Sequence, residues 1–248
     1  ILLAYRAIKK NKGSKTNGVN STTIIEVGEK RPEELVAYVR TRLQNFHPHA
    51  VRRVEIPKPD GRMRPLGIPT MEDRIIQQCI KQVLEPICEA KFYKHSYGFR
   101  PNRSAHHAVA RAMFLVNISK YRFVVDVDIK GFFDNVNHGK LLKQLWTLGI
   151  RDKQLLCILS KMLKAPIQGE GVPAKGVPQG GILSPLLSNV VLNELDWWIS
   201  SQWGTFPTKT NYAHDLSRYQ NLRRTSRMKE VFIVRYADDF KLFCKSPT

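Results

Sequence analysis

Asp238 and Asp239 stand side by side in Tyr236-Ala237-Asp238-Asp239, between apolar runs at 231–234 and 240–243. The runs read as two strands and the tetrapeptide as the turn that joins them. Adjacent carboxylates repel and are costly to bury unpaired, so a bound divalent cation is the natural reason for an apolar hairpin to carry them. An exposed acidic turn without a ligand leaves the same trace, because Asp is common in turns. A carboxylate elsewhere has to decide between the two.

Phe123-Val124-Val125-Asp126-Val127-Asp128-Ile129 reads as a strand of the buried type. Its side chains alternate, which puts Asp126 and Asp128 on one face and Val125 and Val127 on the other. Pairing this strand with the hairpin at 231–243 brings Asp128 beside Asp238 and Asp239. Three such carboxylates can hold two Mg²⁺ ions about 3.5–4 Å apart, as in-line phosphoryl transfer requires, with Mn²⁺ as a substitute. Asp126 is expected to orient a basic neighbour, and Asp134 to cap or pair locally. A competing reading takes Asp126-Val127-Asp128 as the DxD metal motif of a glycosyltransferase. That motif is short, and no nucleotide-binding βαβ start accompanies it.

These elements sit in a chain of 248 residues that is 42% hydrophobic, enough for a substantial core. No run of about 18 uncharged apolar residues occurs, which argues against a membrane span and a membrane partner. Cys79, Cys88, Cys157 and Cys244 lie far apart, with no zinc spacing and no disulfide framework. Forty Lys and Arg against 21 Asp and Glu leave a formal charge of +19. Such an excess points to a polyanionic partner, nucleic acid before membrane, because neutralised phosphates release counterions. Lys9, Lys10, Lys12 and Lys15 concentrate the charge near the start, and residues 203–229 form a second basic stretch that reads as irregular.

Helical spacing is expected from Pro32 onward, over 72–89 with an end near Pro86, over 105–116 behind a Ser104 cap, within 139–163, and from Ser184-Pro185 through Trp198. Residues 51–69 read as a hairpin turning at Pro59-Asp60-Gly61. Loops at 97–104 and 175–181 are rich in turn residues.

Five blocks in this order resemble reverse transcriptases: Ile56-Pro-Lys-Pro-Asp-Gly-Arg-Met-Arg-Pro-Leu-Gly-Ile-Pro69; Tyr97-Gly-Phe-Arg-Pro-Asn-Arg-Ser104; Phe123 through Asp-Ile-Lys-Gly-Phe-Phe-Asp134; Gly176-Val-Pro-Gln-Gly-Gly-Ile-Leu-Ser-Pro185; and Tyr236-Ala-Asp-Asp239. The first two narrow the resemblance to the enzymes encoded by bacterial group II introns. It implies an α+β right-hand polymerase fold with an antiparallel palm sheet packed on helices. Fingers would cover 1–85, including the basic N-terminal extension, and 137–178. Palm would cover 86–136 and 179–248.

The resemblance makes Asp128, Asp238 and Asp239 the catalytic metal ligands, joined by the backbone carbonyl of Ile129. Lys58, Arg64, Phe133, Gln179 and Gly180 would bind the dNTP, with Phe133 under the sugar and Phe132 the adjacent alternative. Arg100, Asn102 and Arg103 would touch the template, and Lys9, Lys10, Lys12 and Lys15 the RNA. The partners implied are group II intron RNA, an RNA template with a DNA primer, and dNTP, in the bacterial cytoplasm, with a homodimer as a further form. The activity implied is RNA-directed DNA polymerisation for intron mobility, with RNA binding for maturase-assisted splicing. The family continues with a thumb, which this chain, ending at Thr248 and opening at Ile1, is expected to lack. The alternative is therefore a module that grips intron RNA without efficient polymerisation.

Overall fold

The structure is a computed structural model that describes residues 1–57, 61 and 63–246. In chain order the elements are α1 (Leu2–Lys9), α2 (Ile24–Glu29), α3 (Pro32–Gln44), β1 (Arg52–Pro57), β2 (Met63–Ile68) and α4 (Met71–Glu89). Then come α5 (Ala105–Met113), β3 (Phe123–Asp128), α6 (His138–Thr147), α7 (Lys153–Leu163), α8 (Ser184–Ser201), α9 (Asp215–Thr225), β4 (Val231–Tyr236) and β5 (Asp239–Cys244). They form two compact units, one of residues 1–91 and 131–188, the other of 92–130 and 189–248.

The first unit is mostly helical. Thr23 and Glu26 close a capping box on α2, Pro32 occupies the first turn of α3, and the Thr70 hydroxyl accepts from the Asp73 N–H at the start of α4. α4 carries the apolar stripe its spacing predicts, with Ile75, Ile76 and Leu84 buried. Each such side chain contributes about 1.5–3 kcal/mol by leaving water. Pro86 does not end this helix, which runs on to Glu89 and closes with Ala90 N–H donating to the Pro86 carbonyl. α1 packs on α4, and α6 on α7 through an interior that includes Leu141, Leu145 and Leu159. β1 and β2 pair antiparallel from Arg52 opposite Ile68 to Pro57 opposite Met63.

The second unit is a three-stranded antiparallel sheet in the order β3-β5-β4. Strand alternation sends Ile233 and Phe240 toward Leu195 and Ile199 of α8 on one face. Phe232, Val234 and Phe243 face the other way, onto Ala108, Leu115, Trp203 and Leu222. Two expectations change here. The strand at 123–128 is not buried: Phe123, Val124 and Val125 are 44–49% exposed, since β3 is an edge strand paired with β5 alone. The stretch at 203–229 is not wholly irregular either, because 215–225 fold as α9, which anchors itself by the single buried Leu222 and so shows almost no apolar period.

Candidate active site

Asp128 is the last residue of β3 and stands directly opposite Asp239, the first residue of β5; Asp239 is in turn opposite Tyr236 of β4. Asp238 lies between them on the turn. Directly opposed residues hold their Cβ atoms about 4.5–5.5 Å apart, and like charges there are destabilising. Asp128 and Asp239 are exposed and Asp238 is partly so. Among the described residues none donates a hydrogen bond to any of the three carboxylates. The nearest cation on the same face, Lys241, is already engaged: its Nζ donates to Asp126 Oδ1 at 2.6 Å. That bond, with a weaker pull from Asp239, holds the Lys241 ammonium above its ordinary range. Asp126 thus orients a basic neighbour, as expected for it.

What remains is an uncompensated set of hard oxygen donors, the chemistry that suits Mg²⁺ or Mn²⁺. Among the described residues no three His, Cys, Asp or Glu side chains close round an ion position. Exposed Asp side chains reorient within picoseconds to nanoseconds, so the strand register sets what the three can hold together. Ile129, the proposed backbone donor, follows directly, its side chain packed against the Ile233 and Phe240 cluster.

The turn itself is fixed from below by residues that the sequence did not flag. Arg235 on β4 is 1% exposed, and its partner Asp196 on α8 is 0% exposed. Arg235 Nε and Nη2 donate to the two Asp196 oxygens at 2.8 and 2.6 Å, while Nη1 donates to Asn189 Oδ1 at 3.0 Å and to the Ala237 carbonyl at 2.7 Å. Burial pushes the Asp196 carboxyl above its usual range, against the pull of the Arg235 hydrogen bonds. Ala237 sits at φ +59°, a left-handed conformation costing about 1–2 kcal/mol for a residue with a Cβ. Such strain persists only where the surroundings over-determine it, and Arg235 does so.

A second support comes from the 95–98 segment. Arg235 N–H donates to the His95 carbonyl at 3.1 Å, and Tyr97 N–H donates to the Arg235 carbonyl at 2.9 Å. Asn189 Nδ2 donates to the Gly98 carbonyl at 2.8 Å. A Cβ on Gly98 would lie 2.1 Å from the Ala237 nitrogen, so only glycine lets the two backbones meet. Arg100, expected on the template, is interior: its Nη1 donates to the carbonyls of Tyr93 and Ser96, both at 2.8 Å. The Tyr97-Gly98-Phe99-Arg100 block therefore serves as scaffold for the acidic turn. Asn102 is exposed at φ +57°, and Arg103 Nη1 donates to the Lys94 carbonyl at 2.6 Å.

The remaining expected residues lie in the first unit. Arg64 is exposed on β2, opposite Ile56. Lys58 lies outside the described residues. Phe132 is buried at 7% exposed, and Phe133, packed edge-on against it with ring centres 5.4 Å apart, is half-buried. The Gln179 carbonyl accepts from Gly67 N–H at 2.6 Å, docking the 178–181 loop on β2. Gly180 has φ +108° and would place a Cβ 2.7 Å from the Gly67 carbonyl oxygen, so that loop requires glycine twice over. The Ser184 hydroxyl donates to the Pro178 carbonyl at 2.6 Å, tying the loop to α8. Lys9, Lys10, Lys12 and Lys15 are all exposed.

The sequence matches the reverse transcriptase (RNA-dependent DNA polymerase) family over residues 56–248. It is 35% identical to protein YkfC of Escherichia coli over 98% of this chain and 67% of that protein. It is 38% identical to the group II intron-encoded protein LtrA of Lactococcus lactis over 79% of this chain and 33% of that one. A putative COX1/OXI3 intron 1 protein of Saccharomyces cerevisiae is 30% identical over 95% of this chain and 28% of its own length. The chain thus spans from about a quarter to two thirds of these relatives. A family that uses divalent metal ions accounts for the unpaired carboxylates, and the glycosyltransferase reading falls. With its fingers-and-palm α+β fold, the chain belongs to the reverse transcriptases.

Proposed function

We propose that the chain catalyses RNA-directed DNA polymerisation for a group II intron, joining a dNTP to a DNA primer opposite an RNA template. The observation that carries this is the register of Asp128 against Asp239, with Asp238 on the adjoining turn and, among the described residues, no donor to any of the three carboxylates. Asp128, Asp238, Asp239 and the Ile129 carbonyl would hold two Mg²⁺ ions. Bound there, the ions would lower the pKa of the primer 3′-hydroxyl and neutralise charge on the departing pyrophosphate. The Arg235 network keeps the acidic turn in place. Arg64 has the bidentate chemistry for triphosphate, the half-buried Phe133 ring would lie under the sugar, and the Gln179-Gly180 backbone would lie beneath the nascent pair.

A second role, gripping intron RNA so that it can splice, is favoured by the exposed Lys9, Lys10, Lys12 and Lys15 and the +19 charge. Asp238→Ala separates the two. Primer extension should fall to background while affinity for intron RNA stays within twofold. Equal loss of both would mean that the acids support the fold or the RNA site instead.

A further inference from the structure

A cavity of about 600 Å³ opens within the second unit, a size common for small-ligand sites. Phe232 and Lys245 among its lining place it at the other end of the strands from the carboxylates. Asp239 and Lys245 are six residues apart, roughly 20 Å along a strand. Four cations line it, Lys94, Arg111, Arg223 and Lys245, against one carboxylate, Asp215.

The carboxylates nearby are shared. Asp215 serves both Lys94 at 3.3 Å and Arg218 at 2.8 Å. Glu230 serves Arg223 at 2.8 Å and Lys245 at 3.4 Å. Arg111 has no carboxylate partner among the described residues, and its Nε is buried with no acceptor. Its guanidinium lies 5.2 Å from the Phe114 ring centre and 5.8 Å from that of Phe232. A half-buried guanidinium without a counter-charge is costly, and it is the expected signature of a group awaiting an anion. His95, on the same wall, is driven down to about 3 by burial first and then by Arg111, Lys94 and Arg103, so it stays neutral.

We propose that this cavity is a second nucleotide site, taking one nucleoside phosphate with the phosphate on Arg111, flanked by Lys94 and Lys245. Arg binds phosphate bidentately, and aromatic walls accept any base by stacking. Phe114, 47% exposed, and the half-buried Tyr219 supply that wall. The nucleotide is either free or an unpaired residue of bound RNA. The site goes beyond the polymerase reading and uses none of its residues.

Calorimetric titration of the whole chain with AMP tests it. Saturable binding should weaken at least tenfold in Arg111→Met, and be unchanged in Asp239→Asn. Melting by circular dichroism should show Arg111→Met as stable as the parent or more so, since an uncompensated cation is removed. A hairpin RNA with one bulged adenosine, compared with the same hairpin lacking it, identifies the source: preference for the bulge, competed by AMP, assigns the site to RNA, and AMP binding without that preference assigns it to free nucleotide. Should Arg111→Met fail to fold, Lys245→Met carries the test and must weaken AMP severalfold. No saturable AMP binding, unchanged affinity in the folded variant, or loss that follows Asp239 would each overturn the proposal.

Discussion

A buried charge pair is weak evidence for stability but a strong constraint on geometry, and Arg235 with Asp196 shows why. The pair is fully desolvated, so its two mutual hydrogen bonds offset burial rather than add a large surplus. What it secures is the left-handed Ala237, whose carbonyl receives a further hydrogen bond from the same guanidinium. Removing one partner leaves the other charge stranded. Asp196→Ala should therefore lower unfolding free energy by about 3–5 kcal/mol in urea titrations, while Arg235→Met with Asp196→Leu should recover most of that loss. Primer extension should stay low in the double variant, because the Ala237 carbonyl has lost its anchor. Full activity there would show that the turn holds its shape unaided. Gly98→Ala is a sharper probe. Its Cβ would meet backbone atoms at 2.1–2.9 Å, which no rotamer can relieve, so the purified variant should melt well below the parent.

At the level of elements, the sequence showed what repeats and hid what is tertiary. Period-two spacing placed Asp126 and Asp128 on one face, and the strand pairing then brought Asp128 opposite Asp239 as expected. Helix spacing found α4 and α8, with Pro86 misjudged because a proline near a helix end can be carried by one more turn. Arg235, Asn189 and Asp196 were not legible: polar residues in an apolar strand or helix give no sign of whether they face water or one another. Arg100 was misplaced for the same reason. The segment bearing His95 runs beside β4 through backbone hydrogen bonds, and it adds a pH dependence. His95 is held near 3 by burial, with Arg111 of α5, Lys94 and Arg103 adding to the effect and Asp215 of α9 opposing it; the Tyr97 hydroxyl lies 3.0 Å from Nδ1. Its ordinary value is 6.5, so between pH 6.5 and 3 the unfolded chain binds more protons than the folded one. The stability associated with neutral His95 is complete above pH 6.5 and is lost as pH falls. Melting temperature should thus drop on going from pH 6.5 to 4, and His95→Gln should flatten the drop. Superimposable profiles for the two proteins would remove His95 as the cause.

For the whole molecule the governing fact is charge, because +19 on 248 residues exceeds anything the fold itself needs. The ion pairs within the structure consume acidic residues that are already in the minority, so most Lys and Arg face solvent or a partner. Binding to RNA should accordingly be driven by counterion release, and log affinity should fall linearly with log salt. Lys9 ends α1 and Lys10 caps it, and Lys12 and Lys15 bound the 3₁₀ turn after it, so all four are presented within a few residues of one another. Changing all four to Gln removes at most four phosphate contacts, which should reduce the salt slope by about 3 at roughly 0.7–0.9 per contact. Filter binding of intron RNA between about 50 and 200 mM salt covers the range in which such contacts matter. Affinity should fall most at the lowest salt and converge with the parent as salt rises. A uniform loss at every concentration, with the slope intact, would instead mean that the lysines shape α1 and its packing on α4 rather than meet phosphate, and the N-terminal segment would cease to be an RNA contact.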